Sequence, residues 1–298
     1  MNTAITSNSE TIVYMTTAIS PTGLTSVYQA LGRQAVGKVA VKIHSGEGEK
    51  SNHLRPDFIQ GLVQLIDGTI VESNTAYGGA RADKDNHLKL MAERGFAAIA
   101  PIDILDGDGV MELPVVGGKQ LATNEVGAGL ARYDFLVVLS HFKGHPMGGF
   151  GGALKNTAVG IASSQGKSLI HTGGKERSGF GMSTPTEVFT EAMAEAAQSV
   201  HLYFNGGQNV LYINVMNRLS VDCDCMANPA KPDMHDIGIL ASLDPVALDQ
   251  ACVDLIYSAP DGASLIERIK SRKGLHILEH AVAIGLGSRQ YSSVRCDA

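Results

Sequence analysis

Short apolar runs rich in β-branched residues alternate along this chain with longer stretches of helical spacing. The runs at 11–15, 38–43, 69–73, 97–104, 135–139, 210–216 and 237–241 read as strands, the fourth interrupted by Pro101. Helical spacing predicts helices over 24–34, 56–65, 84–94, 154–162, 185–204, 245–255, 266–270 and 276–282. Pro56 and Pro245 suit a first helical turn, and Thr22 is a candidate cap. Thr184, Pro185 and Glu187 read as a Thr-x-x-Glu capping box, Asp244 as a cap, and Gly95 as a stop. This alternation predicts an α/β fold: a mixed, largely parallel sheet with helices on both faces, as a single domain over 1–298 or as two lobes. Such sheets bind ligands at the C-terminal ends of their strands. Four segments that follow strands carry chemistry: His44 to Glu47, Glu72 to Asn74, His141 to His145, and Asp222 to Cys225.

Composition narrows the class. With 298 residues, 44% of them hydrophobic, the chain can bury a large core. A net charge of −6 argues against general nucleic-acid or anionic-membrane binding, so any anion site must be local. Residues 1–10 are polar with no signal-peptide core, and no apolar run approaches the ~20 residues of a membrane span, so the expected compartment is the cytoplasm. Four cysteines suit a reducing environment.

The densest chemistry lies between Ser140 and Asn156, where five glycines, two histidines and two lysines occur within 17 residues. A strand, a glycine-rich loop and a helix in succession leave amide N–H groups at a helix N-terminus, where anions bind. Gly148, Gly149, Gly151 and Gly152 would let a ligand approach the backbone, with Lys155 and Asn156 completing the ligand-binding set. Lys143, His141 and His145 are the candidate catalytic residues, the histidines as acid/base groups or metal ligands. Pro146 disfavours a helical His141/His145 chelate. The run matches neither a Walker loop nor the dinucleotide fingerprint, and a tight structural crossover would also need its glycines.

Asp222-Cys-Asp-Cys225 places two thiols among two carboxylates. Those carboxylates should raise the thiol pKa values and oppose a free thiolate, whereas a bound cation would reverse that effect. Cys223, Cys225 and His141 are therefore the candidate metal ligands, suited to zinc or iron; two ordinary loop cysteines are the alternative. Cys252 reads as core and Cys296 as tail. The segment 171–184, rich in glycine, serine and charge, reads as a lid or a surface loop.

At 137–145, 148–156, 222–225 and 236–247 the chain resembles the domain-of-unknown-function 362 family. That family is associated with iron–sulfur proteins, and its cluster-bearing members carry an added ferredoxin segment with repeated Cys-x-x-Cys spacing. The resemblance therefore implies metal or redox chemistry and a redox partner. This chain has no Cys-x-x-Cys, which argues against a conventional 4Fe–4S cluster in it. The stretch from His145 to Lys155 is also similar to a loop of the nickel-pincer lactate racemase family, where it belongs to the cofactor and substrate region. Together these features predict a metal- or anion-dependent site in a redox or isomerase-type enzyme on a small anionic substrate. The alternative is a non-catalytic accessory protein for metal or iron–sulfur handling or for binding an anionic ligand.

Overall fold

The computed structural model describes residues 11–297. An eight-stranded sheet is built from β1 (Ile12–Thr16), β2 (Val39–Lys42), β3 (Gly68–Glu72), β4 (Ile102–Ile104), β7 (Phe135–His141), β10 (Val210–Met216), β11 (Gly238–Ser242) and β12 (Ser292–Arg295). The intervening ribbons are β5 (Val110–Pro114) with β6 (Thr123–Gly127), and β8 (Lys143–His145) with β9 (Gly149–Gly151). Strand order across the sheet is β12-β1-β11-β10-β7-β2-β3-β4. β11 pairs antiparallel with both its neighbours, and every other pairing is parallel, so the expected mixed, largely parallel sheet forms.

The helices are α1 (Pro21–Ala30), α2 (Pro56–Leu65), α3 (Lys84–Glu93), α4 (Ala153–Ile161), α5 (Ser164–Thr172), α6 (Thr186–Tyr203), α7 (Pro245–Ser258), α8 (Ala263–Ser271) and α9 (His276–Ala283). Side-chain alternation along the central strands sorts them onto two faces. Phe135, Val137 and Leu139 of β7, with Leu211, Ile213 and Val215 of β10, pack with Leu24, Ile59 and Met91 of α1, α2 and α3. Leu136 and Val138, with Val210 and Tyr212, face Leu154, Ala196, Val246 and Leu278 of α4, α6, α7 and α9. Both faces of β7 and β10 are buried, which explains their near-continuous apolar runs. Among the described residues, no helix is long and apolar enough to cross a membrane.

Three local expectations are corrected. Ser20, not Thr22, caps α1, its side chain accepting from the Gly23 amide at 3.0 Å. The 184–187 capping box does not form. Thr184 closes a turn onto the Gly181 carbonyl, Pro185 takes the N-cap position, and Glu187 pairs with Lys273. Residues 96–98 form a 3-10 turn after Gly95, whose φ of +88° ends the preceding helical segment, and β4 begins only past Pro101. Asp244 caps α7 as expected, accepting from the Val246 and Ala247 amides at 2.8 and 3.0 Å.

Candidate functional site

The parallel strands β2, β3, β7 and β10 end on one edge of the sheet, and the four chemistry-bearing segments meet there. His44, Glu72, His141, His145 and Cys225 all line one cavity of about 160 Å³. Five basic side chains line it too: Lys42, Arg81, Lys143, Lys155 and Lys167.

Two buried carboxylates hold three of those cations. Glu72, at the end of β3, accepts from the Ser45 amide and hydroxyl at 2.6 and 2.8 Å, and from the Lys42 ammonium at 3.1 Å. Arg81 lies 3.6 Å from its other side and also bonds Glu47 at 2.8 Å. Burial alone would raise Glu72, but Lys42, His44 and Arg81 hold it well below the usual carboxylate range. Asp224, between the two cysteines, accepts from Lys143 at 2.8 Å and from His141 Nδ1 at 2.9 Å. Burial opposes its charge, and His141 and Lys143 overcome that. His141 Nε2 lies 2.6 Å from the Asn217 carbonyl, so both ring nitrogens are engaged.

Lys155 and Lys167 have no carboxylate partner among the described residues. Lys155 Nζ donates to Cys223 Sγ at 4.0 Å. Lys167 Nζ donates to the Ala162 carbonyl at 2.6 Å, and burial, only partly offset by Asp106, lowers its pKa to about 7. One turn on, His171 Nδ1 donates to the Lys167 carbonyl at 2.6 Å, which leaves the proton-free Nε2 on a ring that lines the cavity. Burial lowers His171 to about 4. Phe180 packs edge-on to His171 and tilted on Tyr77, with centroids 5.4 and 5.5 Å away, and joins the cavity wall from the 171–184 segment.

One nitrogen of His145 and the sulfurs of Cys223 and Cys225 all lie within 4.8 Å of one another. The sequence expectation put His141 with the cysteines; the structure puts His145 there, because His141 is occupied by Asp224 and Asn217. The thiols also differ from expectation. Asp222 turns to Arg268 and the Ala230 amide, and Asp224, though it still raises Cys223 as expected, is outweighed there by the lysines. Cys223 is held well below the usual thiol range by a hydrogen bond from Cys225, then by Lys155 and Lys143, while Cys225 is pushed up. The two thiols titrate as a pair, with Cys223 the side that favours the charge. One imidazole and two sulfurs suit a borderline-soft ion such as zinc or iron and leave a coordination position open. The imidazole has to adjust to hold one, because His145 Nδ1 already accepts the Gly148 amide at 2.9 Å, which puts the proton of the neutral ring on Nε2.

The glycine-rich run serves packing more than ligand approach. Gly149 has a φ of +83°, and a Cβ there would lie 2.9 Å from the Gly274 Cα. Gly148 and Gly149 lie outside the cavity lining; Gly151, Gly152, Lys155 and Asn156 lie in it. The expected anion-binding amides at the start of α4 already have an anion. Ala153 and Leu154 donate to the buried Asp249 at 2.8 and 3.0 Å, and a Cβ on Gly152 would sit 2.3 Å from that carboxylate. Asn156 is equally committed, joining Lys42 Nζ at 3.1 Å to the Lys42 and Leu139 carbonyls and the Ser140 hydroxyl.

Arg81, Lys167, Phe180 and Asp249 were not legible as site residues. Lys167 and His171 are four apart on α5, a helix whose polar, glycine-containing sequence carries little helical signal. That i, i+4 pair was the available clue.

The sequence matches the family described as "Domain of unknown function (DUF362)" over residues 39–254, and the chain belongs to that family. No curated protein matches it. Among solved structures it is similar to the lactate racemase apoprotein from Thermoanaerobacterium thermosaccharolyticum, with 13% identity, a TM-score of 0.46, and coverage of 83% of this chain and 57% of that one. A Thermotoga maritima protein is similar at 9% identity and a TM-score of 0.40, covering 88% of this chain and 58% of that one. The chain thus spans little more than half the length of either.

Proposed function

We propose that this protein is an enzyme that binds a small anionic substrate in the cavity at the sheet edge and transforms it by metal-assisted redox or isomerase-type chemistry. The observation that carries this reading is the pair of lysines, Lys155 and Lys167, that line one cavity and form no ion pair with a carboxylate among the described residues. A lysine in a cavity wall that is unpaired with a carboxylate is desolvated at a cost, and a bound anion offsets that cost. Lys155 binds the substrate anion beside Lys167, and the proton-free His171 Nε2 stands as proton acceptor. Lys143 and His141 act through Asp224, holding the cysteine loop against the end of β7. His145, Cys223 and Cys225 are the residues that would hold a metal ion, which would supply Lewis-acid polarisation or an electron-transfer centre.

The test is thermal stability against a panel of small carboxylates and phosphate, followed by turnover assays on metal-loaded protein. Saturable stabilisation that shrinks in Lys155→Ala supports the site, since the shift follows occupancy. Equal shifts in wild type and variant would remove it. Stabilisation without turnover by loaded protein would make the accessory role the better reading.

A further inference from the structure

We infer that Lys167 is a carbonyl-trapping nucleophile, and that the substrate class of the cavity is a 2-oxo carboxylate held as an imine on its Nζ. The inference rests on the reading of this cavity as an anion site and names its substrate class.

Four observations place the reaction. Lys167 is buried on α5, lines the cavity, and forms no ion pair with a carboxylate among the described residues. Its one hydrogen bond, to the Ala162 carbonyl, anchors a single N–H and leaves the nitrogen lone pair of the neutral amine unspent. Lysines become nucleophiles when desolvation favours the neutral amine, and burial brings this one to about 7, so a large fraction is unprotonated at neutral pH. Lys155, lining the same cavity, supplies the charge that a carboxylate beside the carbonyl requires.

The step balances without a co-reactant. The Lys167 lone pair adds to the carbonyl carbon, forming the C–N bond, and the carbonyl oxygen takes a proton to give a carbinolamine. Loss of the nitrogen proton and departure of that oxygen as water then give the imine. His171 is suited to move these protons. It lies one turn from Lys167, its Nδ1 is fixed on the Lys167 carbonyl, and its proton-free Nε2 belongs to a ring in the cavity wall. Protonated, the imine draws electrons from the substrate's neighbouring carbon, which is what a proton-transfer or carbon–carbon step on an oxo acid requires.

The experiment is reductive trapping on the full chain. Wild-type protein is incubated with pyruvate or glyoxylate and sodium cyanoborohydride, then read by intact mass and peptide mapping. The expected result is one adduct, at Lys167, forming at least about tenfold faster than at exposed lysines and slowed by acetate or succinate, which carry the anion but no carbonyl. Lys155→Ala should slow trapping while leaving the same residue modified, and Lys167→Met should abolish the fast adduct. Adducts spread over exposed lysines, or no modified Lys167 peptide in wild type, overturn the inference, and this readout does not depend on a variant that folds. Carboxylates that still stabilise wild-type protein while Lys167 stays unmodified would sink the imine and spare the anion site. Loss of both effects would sink the anion site as well.

Discussion

The Lys155 ammonium stands 4.0 Å from Cys223 Sγ, and among the described residues no carboxylate pairs with it. Sixty-eight residues separate the two along the chain, and the contact joins the first turns of α4 to the loop after β10. It makes the sulfur part of the site's anion balance.

Removing this cation should therefore move the thiolate. In Lys155→Met, the thiolate absorbance near 240 nm should appear at a pH higher by roughly one unit or more, because an opposite charge at this range shifts a titration by that much. Cys223→Ser identifies the step by deleting it. An unchanged midpoint would show that Cys225 and Lys143 set the sulfur's charge without Lys155.

Asp249 should prove structural. Asp249→Ala leaves the amides of Ala153 and Leu154 and the side chain of Asn214 without their acceptor and should cost at least about 3 kcal/mol in denaturant unfolding. Asp249→Asn should cost less. Burial raises Asp249 to about 6, so the folded state binds the extra proton between 3.8 and about 6. Wild-type stability should fall as pH rises through that window, and the Asn variant should lack this slope.

Lys167 gives the opposite slope. Its ordinary value of 10.5 falls to about 7 in the fold, so the unfolded chain binds more protons between those limits. The lysine should cost several kcal/mol below pH 7, and that cost should fade as pH rises toward 10.5. Lys167→Met should be more stable than wild type near pH 6, with the advantage shrinking above pH 8. A constant difference across this range would mean that the amine is already neutral at low pH or never desolvated.

Metal binding should separate the two histidines. Zinc or iron retained by chelator-free protein should be lost in a Cys223→Ser, Cys225→Ser double variant and in His145→Ala, with circular dichroism unchanged. His141→Ala should keep the ion, because its ring serves Asp224 and Asn217. Metal content that follows His141 instead would refute this division.

Cleavage in 173–184 should report cavity occupancy. Phe180 closes part of the wall, so a stabilising carboxylate should slow proteolysis there. Identical rates with and without it would make this segment a plain surface loop.

Local pattern was enough for the architecture. The runs at 135–139 and 210–216 announced the two central strands because both of their faces are buried, and Pro56, Asp244 and Pro245 marked helix starts through their own backbone chemistry. The rule that parallel strands open their C-terminal ends on one edge was enough to bring His44, Glu72, His141 and Cys225 to a common place. β5, β6, β8, β9 and β12 escaped because they lack the continuous apolar, β-branched runs that marked the buried strands.

What each side chain does there was decided by tertiary structure. His141 and His145 look alike in sequence, yet one turns to Asp224, 83 residues on, and the other lies within 4.8 Å of two sulfurs. The glycine-rich helix start looked open to a ligand until Asp249, from a helix 95 residues away, filled it. Nothing in its sequence neighbourhood marked Lys167, which folding buries with only the Ala162 carbonyl as hydrogen-bond partner. Charge pairing depends on distances between segments remote along the chain. Periodicity reports only which way each segment faces.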